Sequence, residues 1–199
     1  MNTGPERSIE ALAAAAKSRG IELTIMMVAK LLYLADLRAV RQDGQAYSGI
    51  RWLWDNHGPW NNAIYTYVER DRRRGVIDVQ EFLEPVRTKV VTATSSASTD
   101  AGDFLEHIEA ILEAYGHLAP SELRDLTYQT SPMIKAQADE AHKRPLDLTV
   151  RPAGSWFDTA TALGDDDLYF DDEGEDLPRW TEEPEGPLMS VGRALYRRR

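Results

Sequence analysis

The most constraining feature of this sequence is a segment from residue 24 to about residue 42 that is apolar on nearly every side of a predicted helix. Its main apolar face and the residues that widen it are Ile25, Val28, Leu31, Leu32, Ala35 and Ala39, with Met27, Leu34 and Leu37. Thr24 is a favourable N-cap for this helix. A helix without a polar side must be enclosed by other elements, so we predict that the domain is built around it.

Five further helices and two or three short strands are predicted around this central segment. Apolar periodicity and helix stop signals place the helices at 5–20, 60–73, 103–116, 122–128 and 133–143. The first helix has the pattern of a capping box at Thr3–Glu6, with proline at its first position. Strand-like runs occur at 50–54, 76–79 and 86–94, and we expect the 50–54 run to be the third strand of one sheet. The predicted class is mainly α with a small antiparallel β-sheet (α+β).

Composition divides the chain into a helical domain, residues 1–144, and a proline-containing linker with an acidic tail, residues 145–199. Five of the 10 prolines fall in the second part. Between Asp165 and Pro187 there are 11 acidic residues and one basic residue, Arg179, whereas the whole chain has a net charge of −10. Such a segment repels nucleic acid and membrane surfaces and attracts basic partners. It is expected to be either disordered or bound to a partner.

The sequence carries no signature of an enzyme, a metal site or a bound cofactor. It has no cysteine, no phosphate-binding glycine loop with its lysine, and no serine-hydrolase elbow. Its four histidines, His57, His107, His117 and His142, form no metal-binding pair, and we interpret His107 as lying on a solvated helix face. No apolar run is long enough to span a membrane and no secretory signal is apparent, so a soluble cytoplasmic protein is expected.

Two clusters have both a structural and a functional interpretation. The arginines Arg70, Arg72, Arg73 and Arg74 close the third predicted helix, where cations complement the helix dipole. Nucleic-acid contact is the alternative, and the negative charge of the chain argues against it. The aromatic residues Trp52, Trp54, Trp60, Tyr65 and Tyr67 are expected either in the core or in a groove for a partner.

Large apolar groups interrupt the acidic tail, which a purely solubilising segment would not need. Charge steers an encounter and aromatic groups supply buried anchors, so we predict that this tail contacts a protein partner. The predicted contact residues are Asp165, Asp166, Asp167, Tyr169, Phe170, Asp171, Asp172 and Trp180. The alternatives are disordered padding or a tail that docks on its own domain.

Several short motifs, in order, resemble the Panacea antitoxin domain, the family of SocA-like antitoxins. They are the run from Lys30 to Asp36 on the central helix, His57-Gly58-Pro59-Trp60, Tyr115-Gly116, the run from Ser121 to Thr127, and Ala136. The resemblance extends from Thr24 to Ala138. Met133 is a departure, because many members are expected to have tryptophan there. The acidic tail lies outside it.

The resemblance implies neutralisation of a cognate protein toxin by direct binding, without a catalytic residue. It also implies an alternative, in which an adaptor delivers a protein to a Clp-type protease. A third hypothesis is an acidic nucleic-acid mimic that blocks a basic protein. Direct nucleic-acid or membrane binding is not expected.

The shared motif residues have a mainly structural interpretation. They are Lys30, Leu31, Tyr33, Asp36, His57, Gly58, Pro59 and Trp60. The ring of Tyr33 fits the core with its hydroxyl at a polar edge. Gly58-Pro59 is expected to form a tight corner in which glycine permits an unusual backbone conformation.

Overall fold

The computed structural model describes residues 3–83 and 88–150. In these ranges there are six helices, α1 (Pro5–Ser18), α2 (Ile25–Asp43), α3 (Ala63–Arg74), α4 (Phe104–Tyr115), α5 (Pro120–Tyr128) and α6 (Ser131–Ala138). The five strands are β1 (Leu23–Thr24), β2 (Leu53–Asp55), β3 (Gly58–Trp60), β4 (Ile77–Phe82) and β5 (Thr88–Ala93). The predicted class, mainly helical with small antiparallel sheets, is confirmed. No helix in the described ranges is long and apolar enough to cross a bilayer.

Helix α2 lies at the centre of the fold, as its sequence predicts. Every residue from Met27 to Leu37 is buried, the charged side chains included. The Thr24 hydroxyl caps the helix by accepting a hydrogen bond of 3.2 Å from the Met27 N–H. Gly44 ends it in the left-handed conformation. Helices α1, α4 and α5 pack around it, so the core is continuous through the domain.

The three-stranded sheet differs from the predicted one in its third strand. Its order is β1-β5-β4, antiparallel throughout, with Val91 opposite both Leu23 and Val79. The expected third member, the 50–54 run, instead contributes β2, which pairs with β3 in a separate hairpin. Helix α3 accordingly begins at Ala63 and not at Trp60. A two-residue strand such as β1 has no sequence periodicity, so only the tertiary packing reveals it.

The start of α1 also differs from the prediction, because its N-cap is Gly4 and no side chain caps it. The Thr3 hydroxyl instead donates to the Ala101 carbonyl at 3.0 Å. Pro5 occupies the first turn as predicted. The segment before α1 is therefore tied to the loop that precedes α4.

His107 is buried, so the prediction that it lies on a solvated face is wrong. An arginine can only donate, and Arg38 Nη1 lies 2.9 Å from His107 Nδ1, which must therefore accept. The Nε2–H of the neutral ring then donates to Asp43 Oδ2 at 2.8 Å. These two partners belong to α2, so His107 joins α4 to the end of the central helix.

After α6 the chain returns along the outer edge of β2. Trp54 exchanges backbone hydrogen bonds with residues 143 and 144 at 2.8 and 3.1 Å. The Leu146 N–H donates to the Trp52 carbonyl at 2.9 Å, and the Leu146 side chain packs in the core. Residues 143–146 therefore close the hairpin edge before the chain reaches Val150.

Helices α1 and α3 are joined by an arginine that holds two buried carboxylates. Arg74 contacts Asp71 Oδ1 at 2.7 Å and Glu10 Oε2 at 3.4 Å. The Asp71 side chain is fully buried, and burial raises its pKa to about 6 against the opposing effect of Arg74. Removal of the guanidinium would leave both acids without their cation.

We therefore expect Arg74→Met to lower the free energy of unfolding by roughly 2–4 kcal/mol, because it leaves buried charge unpaired. Arg73→Met is the matched control, since Arg73 pairs with the half-exposed Glu69, and its cost is expected to stay below about 0.5 kcal/mol. Urea unfolding at neutral pH measures both values. Equal stability of the two variants would contradict this account of the α1–α3 contact.

Candidate functional site

The polar residues of α2 meet the chain segment 47–60 on one side of the central helix. Lys30, Tyr33 and Asp36 are spaced three residues apart, so they follow one another along that side. The segment opposite them contains the loop after α2 and the β2–β3 hairpin. Lys30 and Asp36 contact different parts of it. We define Lys30, Tyr33 and Asp36, together with the side chains and backbone groups that they contact, as the motif cluster.

The Lys30 side chain lies fully buried beneath the hairpin turn. Its Nζ donates to the carbonyl of His57 at 2.5 Å and to that of Pro59 at 2.8 Å. Burial, assisted by the charge of Arg124, lowers the pKa of this amine to about 7, whereas Asp55 acts in the opposite direction. Lys30 therefore fixes the corner between β2 and β3 through backbone carbonyls alone.

Gly58 makes this close approach possible. Its φ is +86°, in the left-handed region where side chains are disfavoured. A Cβ placed there would lie 3.0 Å from Thr127 Oγ1 and 3.3 Å from Lys30 Nζ. The hairpin can thus pack on α2 and α5 together only because this position has no side chain.

Asp36 organises the loop that follows α2. Its carboxylate accepts hydrogen bonds from the N–H groups of Tyr47 and Ser48 at 3.0 and 2.9 Å, and from the Trp52 indole at 2.8 Å. The Ser48 hydroxyl is a fourth donor. Burial raises the pKa of Asp36, and these donors oppose the rise. Four donors without a cation match an ionised carboxylate.

Tyr33 links the same helix to the turn between α5 and α6. Its hydroxyl lies 2.7 Å from Thr130 Oγ1. The Thr130 hydroxyl donates to the Thr127 carbonyl, so it accepts the hydrogen bond from Tyr33. The Tyr33 ring packs edge-on against Trp52, with centroids 5.6 Å apart. The hydrogen bond to Thr130 thus joins α2 to the turn between α5 and α6, and the aromatic packing joins α2 to the residue that precedes β2.

The other motif residues contribute backbone or apolar contacts. Leu31 is completely buried, and the side chain of His57 is exposed while its carbonyl serves Lys30. Trp60 is half-buried, donates from its indole to Asn62 at 2.8 Å, and packs edge-on against Tyr65 with centroids 5.5 Å apart. Tyr65 is among the most exposed aromatic side chains described.

The motif cluster offers little to a substrate, because its charged atoms are occupied by the chain itself. Lys30 and Asp36 are completely buried and bind backbone or indole groups. Over residues 3–83 and 88–150, no three histidine, aspartate or glutamate side chains are placed to hold a metal ion. The arrangement suits a rigid support for a hairpin and a loop.

The predicted partner-binding residues of the tail lie outside the described residues. This applies to Asp165, Asp166, Asp167, Tyr169, Phe170, Asp171, Asp172 and Trp180. The sequence interpretation missed Ser48 and Thr130, which complete the motif cluster. Small hydroxyl residues occur throughout the chain, so no sequence signal distinguished these two.

A known protein family matches this chain. The family model described as "Antitoxin SocA-like, Panacea domain" matches residues 28–132, slightly more than half of the chain. No curated protein and no solved structure matches. The matched range begins in α2, ends at the start of α6 and includes the whole motif cluster. It confirms the resemblance predicted from the motifs.

We expect Gly58→Ala to destabilise the fold more than Gly44→Ala does. Both positions have positive φ, but a Cβ at Gly44 meets nothing within 4 Å, whereas one at Gly58 meets Thr127 and Lys30. Backbone strain of about 1–2 kcal/mol is common to both variants, and contact adds to it only at Gly58. Thermal and urea unfolding measure the difference. A cost at Gly58 no larger than at Gly44 would show that the close approach is unimportant.

The buried amine predicts how stability changes with pH. The pKa of Lys30 falls from 10.5 to about 7 on folding, so between these values the unfolded chain binds more protons. The Lys30 contribution to the free energy of unfolding should therefore rise with pH across this window, by at most about 1.4 kcal/mol per pH unit.

This contribution is measured as the stability of the unsubstituted protein minus that of Lys30→Met, from pH 7 to about pH 10. The difference should grow with pH, although Lys30→Met also loses two hydrogen bonds at every pH. Lys135→Met is the control, because Lys135 is half-exposed and pairs with Asp139. A flat difference for Lys30→Met would contradict the burial of a titrating amine.

Proposed function

The chain belongs to the SocA-like Panacea antitoxin family, and we propose that it is an antitoxin that neutralises a cognate protein toxin by direct binding. The observation that carries this proposal is the family match over residues 28–132. The motif cluster supports this proposal, because the buried charges of Lys30 and Asp36 hydrogen-bond to backbone groups and so hold the backbone in place. Neutralisation then requires a surface complementary to the toxin and no chemical step.

In this proposal the folded domain is the scaffold and the acidic tail is part of the toxin-binding surface. A toxin that acts on nucleotides or RNA holds phosphate groups with basic side chains. The segment from Asp165 to Pro187 presents 11 acidic residues and so resembles the charge of such a substrate. Electrostatic attraction would raise the association rate and would weaken as salt increases.

The aromatic residues within the tail would supply the contact that charge alone lacks. Tyr169, Phe170 and Trp180 interrupt the acidic runs at intervals that leave carboxylates on both sides of each aromatic group. Large aromatic side chains dominate the binding energy of many interfaces when they enter a desolvated pocket. The proposed toxin contact therefore combines Asp165, Asp166, Asp167, Asp171 and Asp172 with these three anchors.

The first experiment tests neutralisation itself. The protein is co-expressed with the product of the adjacent reading frame, and growth is compared with cells that express that product alone. Rescue of growth, together with a stable complex of the two purified proteins, is the expected result. If growth is rescued only while a Clp-type protease is present and the partner disappears from the cells, the chain is a proteolytic adaptor. Absence of both rescue and complex would overturn the antitoxin proposal.

The second experiment tests the role of the tail. Residues 165–187 are replaced by a glycine–serine segment of equal length, and an unchanged melting temperature first verifies the fold. Toxin binding is then measured at low and high salt. The replaced chain should bind more weakly, mainly through slower association, and should depend less on salt. Equal affinity and equal salt response in both proteins would show that the tail is not part of the interface.

A further inference from the structure

A cationic depression lies between the first turn of α1 and the last turn of α3. It is lined by Thr3, Glu6, Arg7, Arg70, Arg73 and Arg74. We call its four arginines the arginine face. The dipole of α3 accounts for the three arginines at the end of that helix, because cations are favoured at a helix C-terminus. Arg7 lies at the opposite end of another helix, α1, so the dipole does not account for it.

Charges at this face are arranged in two layers. The guanidinium groups of Arg70 and Arg73 lie outermost, with 59% and 75% of their side chains exposed. The carboxylates that compensate Arg74, namely those of Asp71 and Glu10, are buried below. Glu6 also lines the depression and pairs with Arg70 at 2.9 Å, so the local charges nearly balance. Arg7 and the terminal nitrogens of Arg73 are the cationic groups that remain open to a ligand from solvent.

Much of the hydrogen-bonding capacity of the arginine face is unused. Arg73 binds Glu69 through Nε at 3.1 Å, and its two terminal nitrogens have no partner among the described residues. Arg7 is exposed and makes no side-chain hydrogen bond or ion pair within the described part of the chain. A guanidinium offers five donors in a planar fork that fits a carboxylate. The face is thus suited to acidic side chains.

We propose that in the free protein the arginine face holds the acidic segment of the same chain, residues 165–187. The two surfaces have opposite charge, and Tyr169, Phe170 and Trp180 can stack on guanidinium planes as Tyr67 does beside Arg70, 5.9 Å away. Nucleic acid is the competing ligand for a cationic face, but this chain has a net charge of −10 and repels it.

The connecting chain is long enough for this contact. The described chain ends at Val150, where Arg41 donates to the carbonyls of Leu148 and Val150 at 2.6 Å. The 14 residues from 151 to 164 span up to about 50 Å when extended. A domain of this size has a radius of gyration of about 15 Å, which corresponds to a sphere about 40 Å across, so the extended linker is longer than the diameter of the domain. A tether of this length provides a local concentration near the millimolar range, so weak intrinsic affinity suffices.

The consequence for function rests on the proposed antitoxin role. If the same segment binds a basic cleft of the toxin, the arginine face competes with the toxin for it. Docking within the chain then keeps the acidic segment from unrelated basic proteins, and only a partner with higher affinity releases it. Docking itself requires no toxin, so it is testable on the purified protein alone.

The experiment uses the full chain with one spin label. The protein has no cysteine, so Gly174→Cys provides a unique attachment site in the middle of the acidic segment. Amide NMR intensities are compared with the label paramagnetic and reduced, at about 50 mM and about 500 mM salt. We expect the paramagnetic label to reduce the amide intensities of residues 3–10 and 70–74 at low salt, and we expect this reduction to disappear at high salt.

Charge reversal then tests whether the arginines are responsible. Arg7→Glu/Arg73→Glu changes one arginine without a carboxylate partner among the described residues and one that pairs only with the half-exposed Glu69, and it should abolish the intensity losses. Arg51→Glu/Arg144→Glu makes the same change in net charge beside the hairpin, where neither side chain has a hydrogen-bonding partner among the described residues, and should preserve them.

Four results would overturn the proposal. Three concern the spin label: no loss of amide intensity in the unsubstituted protein, intensity losses confined to another face, and equal intensity losses in both double variants. The fourth is a single-stranded oligonucleotide that binds the unsubstituted chain but not Arg7→Glu/Arg73→Glu, while the label leaves the arginine face unaffected. None of them affects growth rescue, so failure of docking and failure of the antitoxin proposal are distinguishable.

Discussion

The fold depends on how a wholly enclosed helix satisfies its own charges. Lys30 and Asp36 lie six residues apart on α2, about 9 Å along the axis, so they do not neutralise each other. Each instead binds the main chain of the segment that follows the helix, Lys30 at the hairpin turn and Asp36 at residues 47 and 48. An unsatisfied buried charge is very costly, so the native path of residues 47–60 is the one that meets both demands. The two charges thereby specify where an otherwise irregular segment lies.

The helical part of this arrangement was predictable, whereas the pairing of strands was not. The apolar residues of α2 and its Thr24 cap are local signals, and they placed the central helix correctly. The partner of a strand is decided by packing, so the sequence pattern places the 50–54 run in the wrong sheet and does not indicate β1. The sequence pattern does not reveal the burial of His107 for the same reason, because its partners Arg38 and Asp43 come from another helix. A lysine and an aspartate inside an apolar helix were the clearest sequence signal of the motif cluster.

The structural motifs and the most acidic segment lie in different parts of the chain. The family match covers residues 28–132, which include the motif cluster and the contacts that fix the hairpin. The segment richest in charge, Asp165–Pro187, lies beyond the match. On the proposal that the tail contacts the toxin, rigid support and partner selection can change independently, since Lys30 and Asp36 hydrogen-bond to residues between 47 and 59. In the proposed antitoxin, a different toxin would require a different surface segment and no change in the core.

The arginines at the end of α3 show that neighbouring residues of one charged cluster can have different roles. Arg74 is required by the fold, because Asp71 and Glu10 are buried beneath it. Arg73 shares one half-exposed carboxylate with Arg72, so most of its donors face solvent. Exposed pairs of this kind add little stability, which leaves their charge available to a ligand. A basic cluster can thus combine a structural cation and a binding surface within two consecutive residues, and burial of the partner carboxylate is what separates the two roles.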